Sequence, residues 1–514
     1  MMSRMSYRYS DLILYFFLVG LFYVRSGDVS ADQMNGLEFL YNTTGGENWN
    51  WQSDVGIWNF TSVDNNPCLD EWQGISCEVD CINISTCNIL RLSLKEYSLV
   101  GSIPSEISSL DNLSILVLSH NMLTFTIPGT LQTLSTLRTI DLSFNELTGY
   151  FPRDFDIPYL EVMKLNANYF SGSIPGDVFV SFVSLAVDLG SNYLSGTIPW
   201  NNLVNLSELD LSNNRLSGSL AMANSVAPVN LSILSLSSNY LIGTIPWNNL
   251  VNLSELDLSN NRLSGSLAMA NSVAPVNLSI LSLSSNYLTG SISTNICQMG
   301  DLQDLRLNNL ILSGAVPACI STLTKLKLVD ISENGFTGDI PFDLFSTAPL
   351  LNEFVASLNC FNADLPSTIC TAESLAVLGL GSMANNNNRY LKCPAGMSIS
   401  GNVKVYGIPA CLFSMPMLRN FTAGSNSIYG ELHPLGGNHS LAVLDLSHNF
   451  LHGPIPDSIL QSTVLRVINL EHNYLGGTLT YLALTRQGVC LNLQHNLLSG
   501  RSRQVLDRCF AFLF

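Results

Sequence analysis

Three histidines, His448, His472 and His495, occupy one position of a recurring sequence pattern, each just before an asparagine. Imidazole titrates near pH 6.5, and close neighbours suppress one another's protonation. Such a row can act as an acid-sensitive rim or a weak metal site; the plainer reading is an exposed polar position. A second row, Asp141, Asp188, Asp210, Asp257, Asp330 and Asp445, falls at the middle of LxL triplets, with Lys164 and Arg306 interrupting it. It reads as an acidic strip for a basic peptide or an amine, or as the stock wording LDLS of this pattern. Glu208 and Asp210 lie two apart on one strand face, about 7 Å from each other, which overlaps the separation of glycosidase carboxylates. An open sheet offers nothing to raise either pKa, so that pair is not expected to catalyse. The chain has no GxSxG, HExxH or phosphate loop. It also has no CxxC cluster that would hold a metal. An enzyme is not expected, and no cofactor or metal is implied.

These residues are positioned by a motif, LxxLxLxxNxLxGxIP, that returns about every 24 residues from Leu90 to Gly500 in about 18 turns. Copies include LSILVLSHNMLTFTIP from Leu113 and LAVLDLSHNFLHGPIP from Leu441. The xxLxLxx segment alternates with period two and predicts a short strand, leucines inward and x residues outward. The asparagine ends the strand, its amide satisfying backbone groups that the turn leaves unpaired. Leu310 and Met383 replace it in two turns, where local irregularity is expected. The later Gly and Pro turn the chain back. The expected fold is an α/β solenoid of the leucine-rich-repeat class, a right-handed superhelix with its parallel sheet on a concave binding face.

Modularity is visible in the sequence itself. Gly196–Leu241 and Gly243–Leu288 are identical. Copying that many residues into a globular core would break it, whereas a stacked array gains two turns with ready-made neighbours. The stretch Met383–Cys411 breaks the rhythm, with its asparagine slots compressed to Met383 and Asn402; an irregular loop on a rigid scaffold is a binding candidate.

Composition narrows the partners. A net charge of −17 repels phosphate backbones, so nucleic acid is not expected. Arg4 and Arg8 precede an apolar run from Leu12 to Val24, and Val29-Ser30-Ala31 is a plausible cleavage site, giving a signal peptide over 1–31. An N-terminal cap over 32–88, repeats over 89–500 and a tail over 501–514 follow. Twelve cysteines fit an oxidising compartment, as do sequons at Asn42, Asn59, Asn83, Asn112, Asn205, Asn230, Asn252, Asn277, Asn420 and Asn438. A secreted or cell-surface location is expected.

Both ends of an array need caps. Met34, Leu37, Leu40 and Tyr41 share one helical face, and Trp49, Trp51, Trp58 and Trp72 follow. Cys68 and Cys77 flank a capping loop, Cys81 and Cys87 can form a second bridge, and Cys490 and Cys509 can close the last turn. Cys297 and Cys319 sit at matching positions of adjacent turns. The pairing of Cys360, Cys370, Cys393 and Cys411 stays open.

The repeat and the cap string NTTGGENWNWQSDVGIWNFTSVDNNPCLDEWQGISC resemble the plant-type leucine-rich repeats of receptor kinases, receptor-like proteins and polygalacturonase inhibitors. The resemblance covers roughly residues 36–500 and implies a recognition protein that binds an extracellular peptide, protein or glycan, with a membrane co-receptor as a further partner. An inhibitor of secreted glycan-degrading enzymes and a structural wall or matrix protein are the alternatives. One departure bears on signalling: no transmembrane helix or kinase follows the repeats.

Overall fold

The computed structural model describes residues 27–499, apart from 62–64, 80, 82–85, 153–154, 156, 177, 180–183, 201–202, 204, 221–229, 268–273, 362–363, 383–392, 394–404 and 480–487. The apolar leader run, Asn83, Met383, Asn402 and Cys509 therefore lie outside the described residues. The chain forms two compact units, Met1–Asn168 and Tyr169–Phe514. No helix among the described residues is long and apolar enough to cross a membrane.

The first unit starts with a cap. Helix Ala31–Thr43 is opened by Ser30, whose hydroxyl accepts from the Gln33 amide at 3.2 Å, which satisfies one of the helix's orphan donors. Leu37 and Leu40 are fully buried, whereas Met34 and Tyr41 are half-buried. The helix packs on the short helix Ser105–Ser109, and Gly36 allows the approach: a Cβ there would stand 2.9 Å from the Glu106 carbonyl oxygen. Strand Ile75–Cys77 runs antiparallel to Ile89–Ser93. From there the strands Ile115–Val117, Thr139–Asp141 and Val162–Lys164 continue in parallel.

The cap also absorbs the expected cleavage site. Asp28–Val29 pairs in parallel with Thr86–Cys87, and the Asn66 amide donates to the Gly27 carbonyl at 2.9 Å. A cut after Ala31 would remove this strand and the Ser30 cap together. Cleavage after Ser26 keeps both and leaves small residues, Val24 and Ser26, at the positions the peptidase reads. Sequencing the N-terminus of secreted protein should therefore give Gly27; a start at Asp32 would contradict this.

The second unit is a parallel ladder from Leu185–Asp188 to Cys490–Asn492, one strand per turn, with the leucines of LxL buried inward. At Leu310 the expected irregularity does not reach the pairing, because Thr289 and Gly290 still face Ile311 and Leu312. The Met383–Cys411 stretch differs more. Val377–Gly379 pairs directly with Asn420–Thr422, so no rung stands between them. The chain leaves this ladder after Gly379 and rejoins it at Asn420, so the expected compressed turn adds no rung to it. Strand Val405–Tyr406 within the stretch pairs instead with Ile428–Glu431 on another side. Two disulfides, Cys360–Cys393 and Cys370–Cys411, tie the excursion back, which resolves the open pairing. Cys68–Cys77, Cys81–Cys87 and Cys297–Cys319 pair as the sequence suggests. Cys490 is disulfide-bonded.

Candidate functional site

Two surfaces carry the chemistry. The first is the outward face of the strands. Every aspartate of the expected row lies there, half-buried, and each turns one oxygen back onto its own turn. Asp141 Oδ1 accepts from the amide and hydroxyl of Ser143 at 3.1 and 2.6 Å. Asp330 and Asp445 do the same with Ser332 and Ser447. Asp188, Asp210 and Asp257 accept from the amides of Gly190, Ser212 and Ser259 at 3.0, 2.7 and 2.9 Å. Aspartate readily bonds backbone two residues on, and the D-x-S spacing is the signal for it at all but Asp188, where Gly190 stands in the serine position. One oxygen of each carboxylate is thus engaged by its own turn.

The row becomes more than a turn device at one place. Asp304 and Arg306 share a strand and form an ion pair at 3.3 Å. Arg306 lies opposite Asp330, and Leu328 opposite Glu353, on successive rungs. Burial pushes the Glu353 carboxyl above its ordinary range; Asp330 and Asp304 add to this and Arg306 opposes it. Three acids therefore gather around one guanidinium on half-buried ground, the environment that perturbs pKa values at binding sites. Reading only the middle x column finds Arg306 and Asp330 but misses Asp304 and Glu353, which stand in the first x column. Lys164 is exposed at the end of its strand in the first unit. The Asn420 sequon lies on this same face, in strand Asn420–Thr422 with Phe421 buried behind it.

The second surface follows the asparagines. Among the described residues, each slot asparagine turns its side chain inward and bridges two turns. Asn121 donates to the carbonyls of Leu94 and Leu118 at 2.8 and 2.9 Å and accepts from the Leu99 amide at 3.0 Å. The residue before each asparagine is forced into the left-handed region, with φ of 52°, 51° and 54° at His448, His472 and His495. That conformation is tolerated best by Asn, Asp, His and Gly. With the asparagine turned in, its two neighbours stand as walls of a depression. Ser425, His448, His472 and His495 form one wall, and Phe450 and Tyr474 the other, of a cavity of about 430 Å³. A smaller one, about 240 Å³, lies between Ser285 and Asn309 on one side and Tyr287 and Ile311 on the other, over Leu310.

The histidine rings stack at 4.3 and 4.0 Å, within 16° of parallel. Burial, then the His448 and His495 neighbours, hold His472 below its ordinary pKa, opposed by Glu471. Glu471 stands 3.5 Å from His448 Nε2 and also accepts from the Asn492 amide at 2.8 Å. Parallel rings set their nitrogens side by side, not converging on one point. Among the described residues, the one group of three ligand-type side chains that converges is Cys68, Cys77 and Cys87, all disulfide-bonded.

Comparison with known proteins fits this architecture. Family profiles described as leucine-rich repeat match residues 111–170, and residues 205–223, 252–270, 277–299 and 440–461. Receptor-like protein 32 of Arabidopsis thaliana is 28% identical over 205 residues, which is 39% of this chain and 21% of that protein. Receptor-like protein 18 of the same plant is 30% identical over 187 residues, covering 35% and 22%. The chain thus spans about a fifth of the length of the curated relatives it matches. Among solved structures, the Arabidopsis receptor kinase HAESA, in complex with the peptide hormone IDA and the co-receptor SERK1, superposes with a TM-score of 0.62 at 30% identity, over 78% of this chain and 64% of that one. The plant peptide hormone receptor RGFR1 in complex with RGF2 gives 0.63 at 26% identity, over 80% and 71%.

Proposed function

We propose that this chain is a plant-type leucine-rich-repeat receptor-like protein, an extracellular recognition module that holds an extended peptide on the outward face of its strands. The carrying observation is the charged cluster of Asp304, Arg306, Asp330 and Glu353 on consecutive rungs. It leaves two more acids than bases, and Ile280, Leu328, Val355 and Val377 flank it on the same face. The ligand this fits is a short peptide with apolar side chains and one cationic group placed against Glu353 and Asp330. Peptide-bound plant ectodomains of similar fold support the choice of peptide, and one of them engages a co-receptor as well. Disulfides at the cap and in the repeats support an oxidising, extracellular setting. We assign the site no catalytic step. A glycan at Asn420 would close the face on its C-terminal side and confine the ligand to the rungs before it.

The pH dependence of binding tests this reading. Glu353 holds its proton more tightly than a free carboxyl. A cationic ligand selects the ionised form, so binding releases a proton and affinity rises with pH until Glu353 is fully ionised. The measurement is a screen of a synthetic library of extended peptides carrying one lysine or arginine, followed by titration of the best binder between pH 4.5 and 7.5. Affinity should fall towards pH 4.5 in the wild type. Glu353→Gln should flatten the profile and lose about tenfold at pH 7. Equal profiles in both proteins would sink the proposal.

A further inference from the structure

The aromatic wall of the second surface extends beyond the cavities and changes character. In the second unit the residue after each asparagine reads, turn by turn, Tyr169, Tyr193, Arg215, Tyr240, Arg262 and Tyr287. The four tyrosines are 42–49% exposed, well above what packing needs. Tyr169 and Tyr193 stack at 5.8 Å and 14°. The Arg215 guanidinium lies over the Tyr193 ring at 4.5 Å, and that of Arg262 over Tyr240 at 4.9 Å. A guanidinium stacked by its face keeps its in-plane N–H donors free for a bidentate anion. Among the described residues, no carboxylate forms an ion pair with either arginine. In a chain of net charge −17, these are two uncompensated cations on one line.

The opposite wall, from the turn of Tyr193 onwards, reads Ser191, Asn213, Ser238, Asn260 and Ser285, each just before an asparagine, and then Asn309 before Leu310. All are hydroxyls or amides, exposed or half-buried. Where this run ends, the two walls enclose the cavity at Ser285, Tyr287 and Asn309. Because the rings and guanidinium groups stack on one another along the array, the run offers tyrosine edges and hydroxyls and cations on one side, small hydrogen-bonding groups on the other, and a repeat of about 4.8 Å per rung. The internal duplication copied the pattern whole, because Arg262 and Tyr287 are the duplicates of Arg215 and Tyr240. The cations consequently recur every second rung, about 10 Å apart.

We propose that this furrow, from Tyr169 to Tyr287, binds a linear acidic polysaccharide. Sugar hydroxyls meet the tyrosine edges and hydroxyls on one wall and the serines and asparagines on the other, and carboxylates at regular intervals engage Arg215 and Arg262. A repeating polymer fits a repeating furrow; an acidic peptide would use the arginines but has no comparable need of the tyrosine hydroxyls or the opposite hydroxyl wall. The site is separate from the strand-face cluster and does not depend on it.

The test uses the whole secreted protein and alginate oligomers of about ten sugars as the polyuronate probe. Titration at low salt should show saturable binding that weakens as salt rises. The double variant Arg215→Gln/Arg262→Gln should lose at least about tenfold, and Tyr193→Ser/Tyr240→Ser a similar factor. Arg306→Gln on the strand face should bind as the wild type does. All the changed side chains are exposed, and an unchanged melting curve verifies folding. Absence of binding to the wild type overturns the proposal. So does polyaspartate binding as tightly as alginate with the tyrosine variant unaffected, which would mean attraction to any polyanion.

Discussion

Replacing Asn334 by leucine is expected to remove about 3–5 kcal/mol from the stability of the surrounding turns, the largest effect of any asparagine in the array. Asn334 is fully buried. Its amide donates to the carbonyls of Leu307, Ile331 and Ser332 at 2.7, 3.2 and 2.9 Å, and its oxygen accepts from the Leu312 amide at 3.1 Å. Leucine matches the volume but leaves these buried backbone groups without that partner, at about 1–3 kcal/mol for each group left unsatisfied. The location compounds the loss. The preceding slot already holds Leu310, which has no amide to offer, so two consecutive interfaces would lack the cross-link. In an array whose stability is a sum over neighbouring turns, a weak interface lets the parts open separately. Hydrogen exchange should show protection of Asp304–Arg306 and Leu328–Asp330 falling on the order of a hundredfold. A loss of less than about threefold would mean that the asparagine contributes little beyond filling space.

The second large effect is expected at Trp58. Trp58→Ala should destabilise the N-terminal cap by about 3–5 kcal/mol. The ring is 3% exposed, stacks on Trp72 at 5.7 Å, meets Trp49 edge-on at 5.0 Å, and donates its indole N–H to the Gln73 carbonyl at 2.8 Å. Tyr41, Phe60, Trp51 and Tyr97 complete the cluster, so Trp58 sits at the centre of an aromatic mesh. Removing its centre opens a cavity that rigid rings cannot refill, because closely packed interiors relax only partly. Limited proteolysis should cut the variant within the cap while sparing the later repeats. Trp58→Phe separates the causes: it keeps most of the packing and should lose about 1 kcal/mol, the hydrogen bond alone. If the alanine variant resists protease as the wild type does, the cap is held by its disulfides and not by the rings.

The strand ladder was legible because LxL sets a two-residue alternation that only one face can bury, and because an asparagine at a fixed offset has one obvious use. The caps were legible from clustered tryptophans and close cysteine pairs. Other features depend on the path of the chain in space. Counting residues between Met383 and Asn402 suggested a short turn; the register of Val377 against Asn420 makes the stretch a detour that adds no rung to the ladder. That detour also decides why Cys360 meets Cys393, which spacing could not reveal. The aspartate row carries two readings in sequence, an acidic strip or the stock wording of the repeat; one oxygen of each carboxylate bonds its own turn, a use visible in D-x-S once the turn is in place. The aromatic and arginine line was present in the sequence, one residue after every asparagine. It acquires meaning once the asparagine is known to point inward and leave its neighbours standing as walls.

Proximity labelling of a bound peptide tests the central claim most directly. The best cationic peptide from the library, carrying a photoreactive group beside its charge, is irradiated on the intact protein and the adducts are mapped by mass spectrometry. The account predicts adducts on outward strand residues around the charged cluster, at Leu328, Glu353 and Val377. Adducts concentrated instead on the short helices Ala318–Thr322 and Ser367–Thr371, with the strand residues unlabelled, would contradict it.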